Sequence, residues 1–103
     1  MAEYVTVAKL SEVPPGEMKS MELEGEAVVI ANVNGEVFAF GGECTHVGGP
    51  LGEGTLADEI VECPWHGGRF NVRSGAVVGP PPQAAVPTYA VRVEGDAIQI
   101  ARR

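Results

Sequence analysis

Residues 44–66 read Cys44-Thr45-His46-Val47-Gly48-Gly49-Pro50-Leu51-Gly52-Glu53-Gly54-Thr55-Leu56-Ala57-Asp58-Glu59-Ile60-Val61-Glu62-Cys63-Pro64-Trp65-His66. Both cysteines and both histidines of the 103-residue chain lie here, in a Cys-x-His pair at the start and a Cys-x-x-His pair at the end. Packing does not demand that four such side chains cluster in two tight pairs. Thiolate sulfur and imidazole nitrogen are metal donors. Cys44, His46, Cys63 and His66 therefore read as the four ligands of a metal site, and the rest of the chain as the scaffold that brings them together. A Cys44–Cys63 disulfide is the weaker reading, since each cysteine has a histidine two or three residues on.

Structural zinc is the first competitor, because zinc takes two cysteines and two histidines tetrahedrally. Zinc sites usually place the two cysteines together and the two histidines together, whereas here each pair is mixed. Mixed pairs suit two metal ions, with each pair giving one ligand to each ion. A [2Fe–2S] centre with two cysteines on one iron and two histidines on the other has this donor set.

Working outward, ten of the fourteen glycines fall between Gly41 and Gly79, flanking both pairs. Glycine lets backbone N–H groups approach a bound group closely. On either side the texture is that of strands. Residues 4–8 carry β-branched and aromatic side chains, 19–23 alternate with Met21 and Leu23 on one face, and 27–33 are apolar enough for a buried strand. Asn34-Gly35 is a strong hairpin signal, since a type I′ turn needs positive φ at both positions, and 36–40 is its partner strand. Within the glycine-rich stretch, 59–62 and 69–72 read as short strands. Pro14-Pro15-Gly16 and Gly95-Asp96 are turns. Gly79-Pro80-Pro81-Pro82 is a stiff extended segment, a linker or a wall against the site. Residues 89–94 and 97–101 form a closing antiparallel pair. No helix longer than a turn or two is expected. Residues 1–103 are expected to form one all-β domain, an antiparallel β-sandwich or small barrel built from both ends of the chain. A glycine-rich cluster-binding subdomain, about residues 41–75, is inserted in this β base. It holds too little apolar material to fold alone, so the metal is expected to help hold it.

The net charge of −7 is uneven: twelve of the fourteen acids precede Cys63, and all five arginines follow it. An acidic chain repels phosphate, which argues against nucleic acid, and suits a basic protein partner or simply solubility. No run approaches the ~20 apolar residues of a membrane span. The amino terminus lacks a basic region followed by an apolar run. A cytoplasmic location away from the membrane is the expectation.

The pairs and their flanks together resemble a known family. Cys44-Thr45-His46 with Gly48-Gly49-Pro50-Leu51, then Cys63-Pro64-Trp65-His66-Gly67, is similar to the Rieske iron–sulfur signature. The likeness runs on through Arg69-Phe70-Asn71-Val72-Arg73-Ser74-Gly75 and Tyr89-Ala90-Val91-Arg92-Val93-Glu94-Gly95-Asp96. It resembles the small Rieske-type ferredoxins of multicomponent aromatic-ring dioxygenases. The resemblance implies one [2Fe–2S] cluster, with Cys44 and Cys63 on one iron and His46 and His66 on the other. It implies an electron carrier with no catalysis of its own, a monomer that takes an electron from a flavin-dependent reductase and delivers it to a terminal oxygenase. Two ferric ions, two sulfides and two thiolates are neutral overall, whereas four thiolates would leave a dianion. The potential therefore lies above that of plant-type ferredoxins.

Departures from the respiratory and photosynthetic Rieske proteins sharpen this. Gly49 and Trp65 stand where those proteins carry a disulfide between the ligand loops. Gly68 and Phe70 stand where they carry a serine and a tyrosine whose hydroxyls bond sulfur. Without those bonds the reduced state is less stabilised, and a potential near the low end of the Rieske range, roughly −150 mV, is expected. Large oxygenase subunits carry a second, mononuclear-iron domain, for which a chain ending at Arg103 has no room, and no dinucleotide fingerprint is present. Two other readings stand beside this one: a Rieske-like small subunit of a nitrite reductase, and a zinc-stabilised interaction module. Trp65 reads as a cover for the cluster in preference to a partner contact. Arg69 and Arg73 should pair with nearby acids, and Glu43 and Glu62 should be solvated strand-end charges. Pro64 is expected to fix its turn, and Thr45 to hydrogen-bond within its loop.

Overall fold

Asn34 (φ 54°) and Gly35 (φ 96°) make the expected tight turn, and the two strands it joins are the centre of the molecule. In the computed structural model, which describes residues 4–43, 50–65, 67–79 and 85–102, these strands are β3 (Glu26–Val33) and β4 (Glu36–Gly41). Around them lie β1 (Val5–Lys9), β2 (Met18–Leu23), β5 (Thr55–Ala57), β6 (Ile60–Glu62), β7 (Arg69–Asn71), β8 (Val77–Gly79), β9 (Thr88–Glu94) and β10 (Ala97–Arg102). Helical structure among the described residues is confined to single 3-10 turns at Leu10–Glu12 and Leu51–Glu53. No described helix is long and apolar enough to cross a membrane.

The strands form two antiparallel sheets, β1-β10-β9-β4-β3-β2 and β5-β6-β7-β8. The expected all-β antiparallel sandwich forms, and both chain ends build its larger sheet. That sheet curls towards a barrel: Ala8 of edge strand β1 and Met21 and Leu23 of edge strand β2 pack into one cluster with Val28, Ile30, Ile98 and Ile100. Its other face, through Val29, Ala31 and Phe40, packs on Leu51, Val61, Phe70, Val72 and Val86. Strand β3 is buried on both faces, which is why its sequence is a continuous apolar run and not an alternation. Asn32 is its one buried polar side chain; its Nδ2 donates to the Val13 carbonyl (2.8 Å) and its Oδ1 accepts the Gly35 N–H (2.7 Å). One buried amide thus ties the hairpin turn to the segment that follows β1.

The small sheet is a long excursion between two neighbouring strands. Strand β4 pairs with β9 through Ala39↔Tyr89 and Phe40↔Thr88, and the Gly41 N–H donates to the Pro87 carbonyl (2.8 Å) where the chain departs and returns. The core it shares with the larger sheet supplies the burial that its own composition lacks. Several details depart from the sequence reading. β5 and β8 were not expected. Glu59 belongs to a turn in which Asp58 has positive φ (52°), and β7 ends at Asn71. There the Asn71 Oδ1 accepts the N–H groups of Arg73 (2.8 Å) and Ser74 (3.3 Å) and bends the chain. The half-buried pattern read for 89–94 fades at its end, where Val93 is exposed.

Candidate metal centre

Cys63, the described member of the second pair, sits at the tip of the β6–β7 hairpin. The ladder runs Ile60↔Asn71, Val61↔Phe70, Glu62↔Arg69, and the Cys63 N–H extends it by donating to the Gly68 carbonyl (2.7 Å). Alternation along β6 turns Val61 inward, Glu62 outward and Cys63 inward. Cys63 is 1% exposed and packs with Phe40, Leu51 and Phe70 between the sheets. The chain then turns through Pro64, and the Trp65 N–H donates to the Cys63 Sγ (3.4 Å). Gly67 takes positive φ (71°) to bring the chain round to β7.

The segments flanking the first pair lie against this hairpin. Glu43 and Pro50 form an isolated antiparallel bridge, and the Leu51 N–H donates to the Gly42 carbonyl (2.9 Å). Leu51 is buried beside Cys63 in the shared core. Gly54 is the point of closest approach: a Cβ built there would fall 1.9 Å from the Glu62 carbonyl oxygen and 3.2 Å from Pro64 Cδ. The chain following the first pair is thus pressed against the residues on either side of Cys63, which only glycine permits.

Of the four residues read as ligands, Cys63 is placed by the structure; Cys44, His46 and His66 lie outside the described residues, as does Thr45. Among the described residues no three Cys, His, Asp or Glu side chains converge on a second metal position. Glu62 is not merely solvated, because its Oε1 accepts from Arg69 Nε (3.0 Å). Arg73 pairs as expected, with Glu36 (3.2 Å) and Glu59 (3.1 Å), and its guanidinium lies 4.7 Å from the centre of the Phe38 ring. Trp65, read from the sequence as a cover, keeps 49% of its surface in solvent. The Trp65 N–H bond to sulfur is not legible in the sequence, because a backbone donor leaves no mark on residue identity.

Residues 3–90 match the Rieske [2Fe-2S] domain. The chain belongs to that family. Among Rieske proteins it is similar to the biphenyl dioxygenase ferredoxin subunit of Pseudomonas sp. (strain KKS102), 41% identical over 93 residues that span 89% of this chain and 85% of that one. It superposes on the ferredoxin of carbazole 1,9a-dioxygenase from Nocardioides aromaticivorans IC177 with a TM-score of 0.92, 33% identity and coverage of 97% and 98% of the two chains. A ferredoxin chain solved in a complex of reduced oxygenase and oxidised ferredoxin of carbazole 1,9a-dioxygenase matches with a TM-score of 0.90, 29% identity and coverage of 95% and 92%. These relatives are named as ferredoxin components of dioxygenase systems, and this Rieske chain is similar to them over nearly its whole length. Its family's prosthetic group is one [2Fe–2S] cluster, which sets the zinc reading aside. The one described ligand, Cys63, fits that group. Its sulfur accepts the Trp65 backbone N–H, the kind of hydrogen bond that favours the thiolate that binds iron.

Proposed function

We propose that this Rieske ferredoxin carries one electron from a flavin-dependent reductase to the terminal oxygenase of an aromatic-ring dioxygenase system. It acts as a monomer in the cytoplasm and binds neither membrane nor nucleic acid. The observation that carries this reading is the match, over nearly the full length of both chains, to ferredoxin components of such systems. In this reading Cys44 and Cys63 hold one iron and His46 and His66 the other, and residues 41–75 are the cluster-binding subdomain. When bound, the cluster supplies a one-electron couple at a fixed position.

The chain's own residues do the rest. Phe40, Leu51 and Phe70 exclude water from one side of Cys63, and the Trp65 N–H offsets charge on its sulfur. Gly68 and Phe70 present no hydroxyl to that sulfur, which supports a potential near the low end of the Rieske range, roughly −150 mV. Purified protein should be red-brown and, once reduced, give the electron paramagnetic resonance signal of a histidine-ligated [2Fe–2S] centre. Mixed in stopped flow with the terminal oxygenases of biphenyl, naphthalene and carbazole dioxygenase systems, the reduced protein should be reoxidised by at least one. Reoxidation by none of them, or a colourless protein holding one zinc, would overturn the reading.

A further inference from the structure

Asn34 and Gly35 form the loop between β3 and β4, closed by the Val33↔Glu36 pair. Both have positive φ, as a type I′ turn requires, and Asn34 is exposed. The dipeptide that makes this turn is also chemically labile. The peptide nitrogen after an asparagine can lose its proton and attack the side-chain amide carbon. A new C–N bond closes a succinimide ring, and the old C–N bond breaks with release of ammonia. Water then opens the ring at either carbonyl and leaves aspartate or isoaspartate. Glycine favours the attack, because no Cβ stands beside its nitrogen. Of the chain's three asparagines only Asn34 precedes glycine; Asn32 and Asn71 precede valine.

In the fold the attacking nitrogen is held. The Gly35 N–H donates to Asn32 Oδ1 at 2.7 Å, at the short end of the range for such a bond. Asn32 is 3% exposed, and its Nδ2 donates to the Val13 carbonyl at 2.8 Å. Its backbone is fixed as well: its N–H donates to the Glu17 carbonyl (3.0 Å), and its carbonyl accepts the Gly16 N–H (2.8 Å). A proton gripped by a buried, immobile acceptor must be released before base can remove it. We propose that Asn34 is a latent deamidation site, and that the buried Asn32 amide keeps it silent until the hairpin opens. Isoaspartate would lengthen the backbone of the loop that sets β3 against β4, where a slip of register turns side chains to the wrong face. Either product adds a negative charge close to Glu36, which Arg73 holds. A chain that forms isoaspartate while open cannot rebuild the same turn.

The test incubates cluster-loaded protein at mildly alkaline pH and follows Asn34 by peptide mass spectrometry, with isoaspartate detected by enzymatic methyl transfer. Folded wild-type protein should convert at least about tenfold more slowly than the same chain in denaturant. Asn32→Ala removes the acceptor and should convert about tenfold faster than folded wild type. Asn32→Asp keeps an acceptor oxygen for the Gly35 N–H but loses the donor to Val13, and should stay close to wild type. It also buries a carboxylate, so it is destabilised at least as much as Asn32→Ala. A rate set by global stability alone would therefore not spare it. Wild-type rates in Asn32→Ala, or equal acceleration in the two variants, overturn the proposal. So does folded wild-type protein that deamidates as fast as the denatured chain. If Asn32→Ala does not fold, deuterium exchange of the Gly35 N–H in wild-type protein decides. Exchange slowed at least about tenfold relative to an unstructured glycine amide supports the guard, and exchange at the unstructured rate overturns it.

Discussion

Cys63 shows how much a single residue's surroundings are shaped by its neighbours' backbone and not by their side chains. Its sulfur accepts an N–H from Trp65, and the side chains packed nearest in its core are hydrocarbon. Adding hydroxyls there should therefore change the potential. Phe70→Tyr combined with Gly68→Ser is expected to raise the midpoint potential, because each hydroxyl that reaches a sulfur stabilises the more negative, reduced form. Protein-film voltammetry reads this directly, and no rise with the cluster intact would count against the account. Tyr89 makes a different prediction. Burial, then the nearby Glu26 carboxylate, raise its phenol above the ordinary value of 10.0, with Arg102 opposing. The folded state thus keeps its proton to higher pH than the unfolded chain. This contribution is fully present below pH 10 and is lost as the pH rises through the raised folded value. Tyr89→Phe should remove that alkaline loss. Denaturant unfolding of both proteins at about pH 8 and about pH 11 measures it; equal losses in the two would sink the assignment.

At the scale of elements, the strands visible in the sequence were those with enough residues to show a period. β3 and β4 announced themselves by an apolar run and an Asn-Gly turn, and β9 and β10 by alternation. β5 and β8 have three residues each, too few for a period of two to stand out from chance, and they are strands only because β6 and β7 offer them partners. The 3-10 turn at Leu51–Glu53 was equally invisible, since it forms where Leu51 drops into a core that the sequence does not display. The same applies to Gly54, one glycine among many in the sequence. In the fold its missing Cβ is what lets β5 start against the Glu62 carbonyl. Gly54→Ala should push the two ligand segments apart and lower the iron content of the purified protein. A comparison change at Gly25, where a Cβ would meet nothing but a φ of 83° strains any other residue, should cost stability yet leave iron content intact. The ratio of cluster absorbance to protein absorbance distinguishes them, and full loading of Gly54→Ala would show that the close approach is dispensable.

For the molecule as a whole, the uneven charge and the architecture act together. The acidic part of the chain supplies Glu43, Glu53 and Glu62 to the segments around the hairpin tip, while the arginines of the later part are largely consumed in ion pairs. Arg73 is held by Glu36 and Glu59, and Arg102 by Glu24 (3.2 Å) and Glu26. The tip therefore keeps a negative field, and electron delivery to a basic partner should slow steeply as salt is added, because the Debye length contracts from about 10 Å at 0.1 M to about 3 Å at 1 M. Rates of oxygenase reduction that stay flat over that range would exclude steering.

The sequence by itself determined the family, the all-β class and the principal hairpin. These depend on residue identity at fixed short spacing, which the chain carries whatever its surroundings. Only the tertiary structure decided that the small sheet leaves and rejoins the larger one at Gly41 and Pro87, and that Leu51 and Phe70 close over Cys63. It alone decided that Trp65 faces outward. Each of these depends on contacts between residues far apart in the chain, and on backbone donors and absent Cβ atoms that no local pattern records.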